Sequence, residues 1–283
     1  MKPGLVDGFV GVLVFSLTLP ATRAAVAVLD PWFVAFGRLA LAGMVAGLTL
    51  RLSRAAWPDA LQRRAIVRVV AGVVLGFPLL TTLALRHVES AHAAVVIGLL
   101  PLLTAVAAVI VAGERPKPAF WLFAIGGGAC VVAYTLAHTT FDAALPDVLL
   151  LAAALLAAYG YAEGAVLART MPGLQVIAWA LVLALPISLP ASLFLLPGVP
   201  LDAPWQAWMG FLWVAIFSQY LGFYFWYRGL ARGGIASVGQ VQLLQTFLTL
   251  GFSALLLGEA LDPWMLAAAA GTLLCILGAR ASR

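Results

Sequence analysis

Long apolar blocks follow one another along this chain, separated by short stretches of charged, Pro or Gly residues. A block of about 20 apolar residues is long enough to cross the hydrocarbon core of a membrane as an α-helix. Backbone polar groups inside hydrocarbon must pair within their own segment, so the blocks are predicted to be helices. The pattern predicts ten membrane-spanning helices, over residues 5–28, 32–50, 66–85, 91–112, 119–137, 147–168, 174–196, 205–227, 236–257 and 264–279.

Composition supports this reading, since 64% of the residues are hydrophobic and 10% are charged. A soluble domain carries about 25% charged residues. The first block is longer than the core of a signal peptide, about 7–15 residues, and a second block follows at once, so it is predicted to be a true span. The fold class predicted is an all-α integral membrane protein with no soluble domain.

The distribution of basic residues predicts the orientation of the chain. With the N-terminus inside, thirteen of the 16 Lys and Arg residues fall in inner segments, Arg86 falls outside, and Arg23 and Arg38 lie in spans. Positive residues favour the cytoplasmic side, so both termini are predicted to be cytoplasmic. The composition, low in Lys and rich in Ala, Leu and Arg, suggests a bacterial inner membrane. The basic excess therefore points to the lipid bilayer as partner and not to nucleic acid.

A repeat is visible when the chain is aligned with itself at an offset of 145 residues. The informative matches are Gly113-Glu114 with Gly258-Glu259, Pro118 with Pro263, Gly126 with Gly271 and Cys130 with Cys275. The chain then divides into two five-helix repeats, residues 1–140 and 141–283. An odd number of spans inserts the two repeats with opposite orientation. Inverted repeats are typical of secondary transporters, whose binding site lies near the bilayer midplane.

These residues also resemble a known family. The motifs are Ala84-Leu85-Arg86, Pro101-Leu102-Leu103-Thr104 and Gly113-Glu114, echoed by Tyr227-Arg228-Gly229-Leu230 and Gly258-Glu259. They are similar to those of the drug/metabolite transporter superfamily, EamA type, and most like those of YddG-type amino-acid exporters. The resemblance implies ten helices in two inverted repeats, a central cavity lined by spans 1, 3, 4, 6, 8 and 9, and export by alternating access. Where the family often has an acidic residue before Pro, this chain has Gln245-Thr246, which argues against carboxylate-based coupling there.

Candidate substrate-binding residues come from aromatic and amide side chains inside the spans. Tyr220 and Tyr224 share a helix face and would offer rings and hydroxyls to an amphipathic solute. Gln242 and Gln245 share a face of span nine, and an amide both donates and accepts hydrogen bonds. Packing and hydrogen bonding between helices are the alternative explanation for both sets. The full predicted set is Phe77, Pro78, Thr81, Tyr159, Trp213, Tyr220, Tyr224, Gln242 and Gln245.

Three charged residues inside the spans are candidates for gating or charge recognition. Glu163 is predicted to lie near the inner interface, and Arg23 and Arg38 near the outer one. A charged residue within a membrane span is by default a candidate for a functional role, because burying it there is costly. Shallow ones can instead extend to the interface, so both explanations remain open. Pro20, Pro78, Pro101, Pro186 and Pro190 interrupt spans and predict bends or broken helices.

The function predicted is secondary transport, with export of amino acids and similar small amphipathic metabolites. The alternatives are a transporter of phosphorylated sugars or nucleotide-type metabolites, which needs deep Arg or Lys side chains, and a small-solute channel. No P-loop and no cluster of nucleophile, base or metal ligands is visible, so the chain is predicted not to be an enzyme and to use no cofactor or metal. A small-molecule substrate, but no obligate protein partner, is expected.

Overall fold

The computed structural model describes residues 3–138, 144–239 and 241–281, and the described residues are helical with no strand. Apolar periodicity and hydrocarbon-length blocks explain why helices form throughout. The α-helices are α1 Pro3–Ser16, α2 Thr18–Val26, α3 Pro31–Leu52, α4 Ala60–Val69, α5 Phe77–Ala84, α6 Ser90–Ile97, α7 Leu100–Ala112, α8 Pro118–His138, α9 Ala144–Leu167, α10 Gly173–Leu195, α11 Trp205–Leu212, α12 Gly222–Gly233, α13 Ile235–Gly239, α14 Gln242–Leu257 and α15 Pro263–Ala281. Two π-helices, Val70–Gly76 and Trp213–Leu221, connect α4 to α5 and α11 to α12.

Seven continuous helical stretches of the described chain are long and apolar enough to cross a membrane. Three shorter apolar helices cover 118–130, 244–257 and 263–275, where the sequence predicts spans five, nine and ten. Large apolar side chains such as Leu48 and Phe194 are exposed on the outside of the bundle, as expected where lipid is the solvent. The chain is a multi-pass membrane protein.

Several spans are broken or widened close to the prolines that the sequence singles out. The break between α1 and α2 lies three residues before Pro20, and the break between α6 and α7 lies next to Pro101. The first π-helix ends immediately before α5, whose second residue is Pro78. Pro186 and Pro190, in contrast, lie inside an uninterrupted α10. Proline removes an N–H donor, so each position leaves a carbonyl oxygen to be satisfied from elsewhere.

The helices pack in pairs, chiefly α3 with α10, α1 with α12, α7 with α9 and α8 with α15. Glycines permit a close approach between α1 and α12. A Cβ atom on Gly229 would lie 2.7 Å from the backbone nitrogen of Gly8, and one on Gly4 would lie 2.8 Å from that of Gly233. Contacts of this kind bring helix backbones together where no hydrophobic effect drives helix association. One continuous core of buried apolar residues connects the pairs.

Contacts recur at the sequence offset of 145 residues. Gly113 and Gly258 both adopt φ of +67° and end α7 and α14 in the left-handed conformation that glycine tolerates. The glutamate after each glycine then reaches a helix in the other half of the chain. Glu114 accepts hydrogen bonds from the backbone nitrogens of Ile235 and Ala236, both at 3.1 Å.

Glu259 makes the corresponding contact in the opposite direction. It accepts from the backbone nitrogens of Ser90 at 3.0 Å and Ala91 at 2.8 Å, and from the Ser90 hydroxyl at 2.8 Å. The first N–H groups of a helix have no partner within the helix, so a carboxylate there satisfies donors and complements the helix dipole. Each Gly-Glu motif therefore caps the first turn of a helix, α13 or α6, belonging to the other half.

Candidate functional site

Two narrow chambers lie side by side where helices of the two halves meet, and Leu19 and Gln245 line both. The polar chamber is lined by Leu19, Ala94, Ile97, Leu100, Pro101, Gln242, Gln245, Thr246 and Thr249. The aromatic chamber is lined by Phe15, Thr18, Leu19, Arg38, Val73, Phe77, Tyr161, Ser218, Gln219, Phe223 and Gln245. Each contains about 10 Å³ of open space. That is about the space one water molecule requires, so a larger solute enters only if the helices move apart.

The break between α1 and α2 is stabilised from the second half of the chain. Pro20 has no N–H, so the carbonyl of Ser16, four residues earlier, loses its partner within the helix. The Thr249 hydroxyl donates to this carbonyl at 2.9 Å. The Thr18 and Ser218 hydroxyls also pair across the halves at 2.8 Å. The non-helical turn is thus held in place at the wall of both chambers.

The first π-helix exposes a second carbonyl to the site. In a π-helix the N–H of residue i bonds to the carbonyl of residue i−5. Pro78 has no N–H, and the carbonyl of Val73, five residues earlier, instead accepts from the Gln219 amide nitrogen at 3.1 Å. Gln219 lies in the second π-helix and is 1% exposed. A π-turn in each half therefore contributes to one buried contact, and π-turns are frequent at functional sites.

Arg38 is the charged residue of the aromatic chamber. Its side chain is 1% exposed, and its Nη2 donates to the Gln219 amide oxygen at 3.0 Å. Its Nε and Nη1 atoms are buried and make no hydrogen bond to any described residue. Among the described residues that line the two chambers, Arg38 alone carries a charge. A residue of the chamber wall thus carries a buried, positively charged guanidinium with two unpaired nitrogens.

The polar chamber also contains unpaired hydrogen-bonding atoms. The amide oxygen and nitrogen of Gln242 and the amide oxygen of Gln245 are buried without a hydrogen bond of ordinary geometry in the described part of the chain. The Tyr161 hydroxyl lies near the Gln242 amide. Buried polar groups are normally hydrogen-bonded, so a cluster of unpaired ones marks a place for water or a ligand. The amides can accept from an ammonium group and donate to a carboxylate.

Aromatic rings complete the wall of the aromatic chamber. Phe15 and Phe223 pack edge to face with ring centroids 5.1 Å apart, and the ring centroids of Tyr161 and Phe223 are 6.0 Å apart. Phe77 lines the chamber from the start of α5. Such rings bind apolar groups and exclude water from neighbouring charges. The site thus combines an apolar surface with a small number of polar groups, the usual composition of a small-molecule pocket.

Of the predicted binding residues, three lie on the chamber walls: Phe77, Gln242 and Gln245. Pro78 and Thr81 belong to the same helix as Phe77 but are not among the wall residues. The Thr81 hydroxyl donates to the Phe77 carbonyl at 2.7 Å. A role of these side chains in binding remains a prediction.

The remaining predicted residues make contacts away from the two chambers. The Tyr220 hydroxyl is buried near Thr49, Tyr224 accepts from Arg228 at 2.6 Å, and Trp213 stacks on a neighbouring ring at 4.6 Å. Tyr159 lies beside the Glu163 carboxylate. The prediction assumed a uniform α-helix through span eight. The π-helix Trp213–Leu221 changes which residues share a face, because each π-turn contains an additional residue.

The structure assigns specific partners to the three predicted intramembrane charges. Arg23 donates to the carbonyls of Leu85 at 2.6 Å and Arg86 at 3.1 Å, where a cation complements the end of α5. Glu163 forms an ion pair with Arg68 at 3.1 Å, a partner not identified from sequence. For Arg38 the alternative of a side chain that extends to the interface does not hold, because the residue is buried and its guanidinium donates to Gln219.

Two further contacts of acidic side chains, one with arginines and one with a histidine, connect helices at opposite ends of the bundle. One lies at the end of the bundle where α1 begins and α12 ends, here called the N-terminal end. There the Asp7 carboxylate accepts two hydrogen bonds from Arg228, one of them at 2.8 Å, and one from Arg232 at 3.4 Å. At the other end, His92 and Asp147 lie 2.7 Å apart. Sequence reasoning missed both pairs. Asp7 was detectable in principle as an acidic residue within the first apolar block.

Sequence reasoning also left several wall residues out of the predicted site, among them Thr18, Tyr161, Ser218 and Gln219. A signal for two of them exists in the sequence, since Ser218-Gln219 is a polar pair within an apolar span. Polar residues in such a position face protein or a water-filled cavity.

Comparisons with known proteins agree with this architecture. The profile of the EamA-like transporter family matches residues 2–136 and, a second time, residues 144–281. An uncharacterized transporter of Bacillus subtilis (strain 168), YdeK, is 46% identical and is aligned over 98% of this chain and 96% of its own. One solved crystal structure shares the fold, with a TM-score of 0.72, 20% sequence identity and coverage of 98% of both chains. A cavity between two halves, a profile that matches each half and a full-length relative lead to one conclusion: the chain belongs to the EamA-like transporter family of the drug/metabolite transporter superfamily.

Proposed function

We propose that this protein is a secondary transporter that exports amino acids and similar small amphipathic metabolites by alternating access. The observation that carries the proposal is the pair of adjoining chambers between the halves, where unpaired amide and guanidinium groups lie beside aromatic rings. An amino acid with an apolar side chain has the matching chemistry, charged groups at one end and hydrocarbon at the other. The proposal includes a small-molecule substrate and no obligate protein partner.

The proposed architecture is ten spans in two inverted five-helix repeats, approximately residues 1–140 and 141–283. The reciprocal caps support it, because Glu114 binds the first turn of α13 and Glu259 the first turn of α6. These donor positions, 235–236 and 90–91, are themselves related by the offset of 145 residues. Equivalent contacts made in both directions are what a pseudo-two-fold axis generates.

Alternating access would require the chambers to open toward each side in turn. The ion pair between Asp7 of α1 and Arg228 of α12 closes the N-terminal end, and His92 with Asp147 connects α6 to α9 at the other. Because the chambers hold about 10 Å³ each, solute entry must separate one of these sets of helices. Rocking of one half against the other about the site is the motion we propose.

The proposed location is a bacterial inner membrane with both termini in the cytoplasm. Basic residues concentrate at the N-terminal end of the bundle, among them Arg51, Arg68 and Arg228. The positive-inside rule favours the cytoplasm for that end. Under this orientation the ion pair of Asp7 lies on the cytoplasmic side.

The test is transport by purified protein reconstituted in liposomes, with labelled L-phenylalanine as the first substrate and a panel of other amino acids after it. We expect movement faster than in empty vesicles, saturation with concentration, and a strong loss with Gln245→Leu. The matched control is Leu48→Ala, which changes a 58% exposed side chain on the outside of α3. If no amino acid moves faster than in empty vesicles, the proposal is wrong. If transport is observed, an imposed pH gradient distinguishes proton-coupled export from exchange.

A phosphorylated sugar or a nucleotide-type metabolite is the second candidate, and the position of Arg38 in the aromatic chamber favours it. Phosphate recognition usually employs several cations or a bidentate arginine with further donors. Arg38 is a single cation among the described wall residues, so we rank this candidate second. Labelled glucose 6-phosphate in the same vesicles tests it. A channel would instead conduct measurably in a planar bilayer.

A further inference from the structure

We infer that Arg38, held by Gln219, is the subsite that binds the anionic group of the solute, and that this group is a carboxylate. The inference rests on the proposed transport function and specifies the substrate class for it. It starts from one observation, a guanidinium that is 1% exposed and has two nitrogens without a partner among the described residues.

An arginine in this position needs a negative partner. Burying a charge is costly unless it is paired and hydrogen-bonded. Gln219 supplies one hydrogen bond but no charge, and no described carboxylate lies within 4.0 Å of the Arg38 nitrogens. The compensating charge must therefore come from outside the described residues, and Arg38 is one of the residues that line the aromatic chamber.

The side chain is also held in place for such a task. The Val73 carbonyl, which Pro78 leaves free, accepts from the Gln219 nitrogen, and the Gln219 oxygen accepts from Arg38 Nη2. This chain of hydrogen bonds fixes the orientation of the Gln219 amide and so directs its oxygen at Nη2 of Arg38. Nη2 carries a second hydrogen, so Arg38 still presents two adjacent N–H groups to a planar anion.

The neighbouring groups favour a carboxylate on an apolar body over a phosphate. A carboxylate carries one negative charge, which one arginine balances, whereas a phosphate monoester carries nearly two negative charges. Phe15, Phe77 and Phe223 line the same chamber and would contact the hydrocarbon part of the solute. Solutes that have the carboxylate but lack the amino group should bind more tightly than amines that lack the carboxylate.

Four compounds with one phenyl ring test this assignment: L-phenylalanine, 3-phenylpropionate, phenethylamine and phenyl phosphate. Binding is measured by calorimetry on purified protein in detergent, and by inhibition of labelled L-phenylalanine transport in liposomes. A hydrogen bond to a charged group typically changes affinity by about 10- to 150-fold. We expect 3-phenylpropionate to bind at least tenfold more tightly than phenethylamine, and more tightly than phenyl phosphate.

Three variants separate this role from a structural one. Arg38→Gln should weaken binding of both carboxylates at least tenfold and leave phenethylamine unchanged. Gln219→Glu keeps the arginine but places a carboxylate against it, so the variant should lose the same selectivity; it also loses the donor to the Val73 carbonyl, so its thermal unfolding midpoint is measured beside that of the wild type. Arg51→Gln removes an equal charge from the exposed end of the same helix and should behave as the wild type.

The outcomes distinguish the inference from the proposed function. If the wild type transports L-phenylalanine but phenethylamine competes as well as 3-phenylpropionate, the inference is wrong and the proposed function stands. If Gln219→Glu retains the wild-type selectivity, the inference is wrong as well. Tighter, Arg38-dependent binding of phenyl phosphate would overturn the carboxylate assignment. Arg38-dependent binding of 3-phenylpropionate without transport of any amino acid would support the subsite and refute the proposed amino-acid transport.

Discussion

Replacing Glu259 by Gln should loosen the first turn of α6 without unfolding the rest of the protein. The carboxylate accepts three hydrogen bonds, from two backbone nitrogens and the hydroxyl of Ser90. The amide of Gln retains one oxygen and presents an N–H₂ group to a donor where the second oxygen was. Loss of a helix cap costs about 0.5–2 kcal/mol, and the lost charge adds to this. We expect local destabilisation of about 1–2 kcal/mol.

Amide hydrogen exchange measures this locally, because opening free energies differ between regions of a structure. A cost of about 1–2 kcal/mol corresponds to an increase of about 5- to 30-fold in exchange at Ser90 and Ala91. Glu89→Gln is the matched control, since Glu89 is the adjacent exposed carboxylate and makes no capping bond. Equal exchange in the two variants would refute the capping argument. An equal increase throughout α3 and α10 would indicate global destabilisation instead.

Three other substitutions test separate contacts. Asp7→Asn should destabilise the fold by about 1–2 kcal/mol, which a lowered thermal unfolding midpoint in detergent would show. Breaking a fully buried ion pair costs more, about 3–5 kcal/mol, but here the Arg228 side chain is 31% exposed. Gly72→Ala should destabilise the fold by about 1–3 kcal/mol, since the new Cβ would lie 2.6 Å from the Leu156 carbonyl oxygen. The control is Gly251→Ala, whose Cβ would meet no neighbouring atom within 4 Å, so it should be neutral or stabilising in the same assay. Thr249→Val should cost about 1 kcal/mol by removing the donor to the Ser16 carbonyl, and unchanged exchange at the start of α2 would contradict that explanation.

The parts of this structure that depend on local patterns could be predicted from the sequence. The apolar blocks indicate the helices because hydrocarbon leaves the backbone no other partner. Pro20 and Pro101 indicate two of the breaks, since each removes a hydrogen bond within its own segment. The equivalence of Glu114 and Glu259 is visible in the internal alignment, although the helix that each one caps is not.

The site depended on contacts that no local pattern encodes. Arg38 lies near the start of α3, and its partner Gln219 is 181 residues away, so its inward orientation follows from how the helices assemble. Uniform α-helical periodicity also placed Tyr220 and Tyr224 on the cavity wall. A π-turn is not signalled by hydrophobic spacing, and Ser218 and Gln219 of this segment line the aromatic chamber whereas Tyr220 and Tyr224 do not.

The two glutamate caps have the form of an interface between identical partners, in which every contact occurs twice. In an assembly of two separate copies, a substitution at either residue would change both contacts together. Here one polypeptide contains both, so each contact is free to diverge independently. That divergence is visible: Ser90 adds a hydroxyl bond to Glu259, whereas its counterpart Ile235 offers Glu114 a backbone nitrogen alone. Covalent fusion thus allows one end of the molecule to be fastened more strongly than the other, an asymmetry that a pair of identical copies could not inherit.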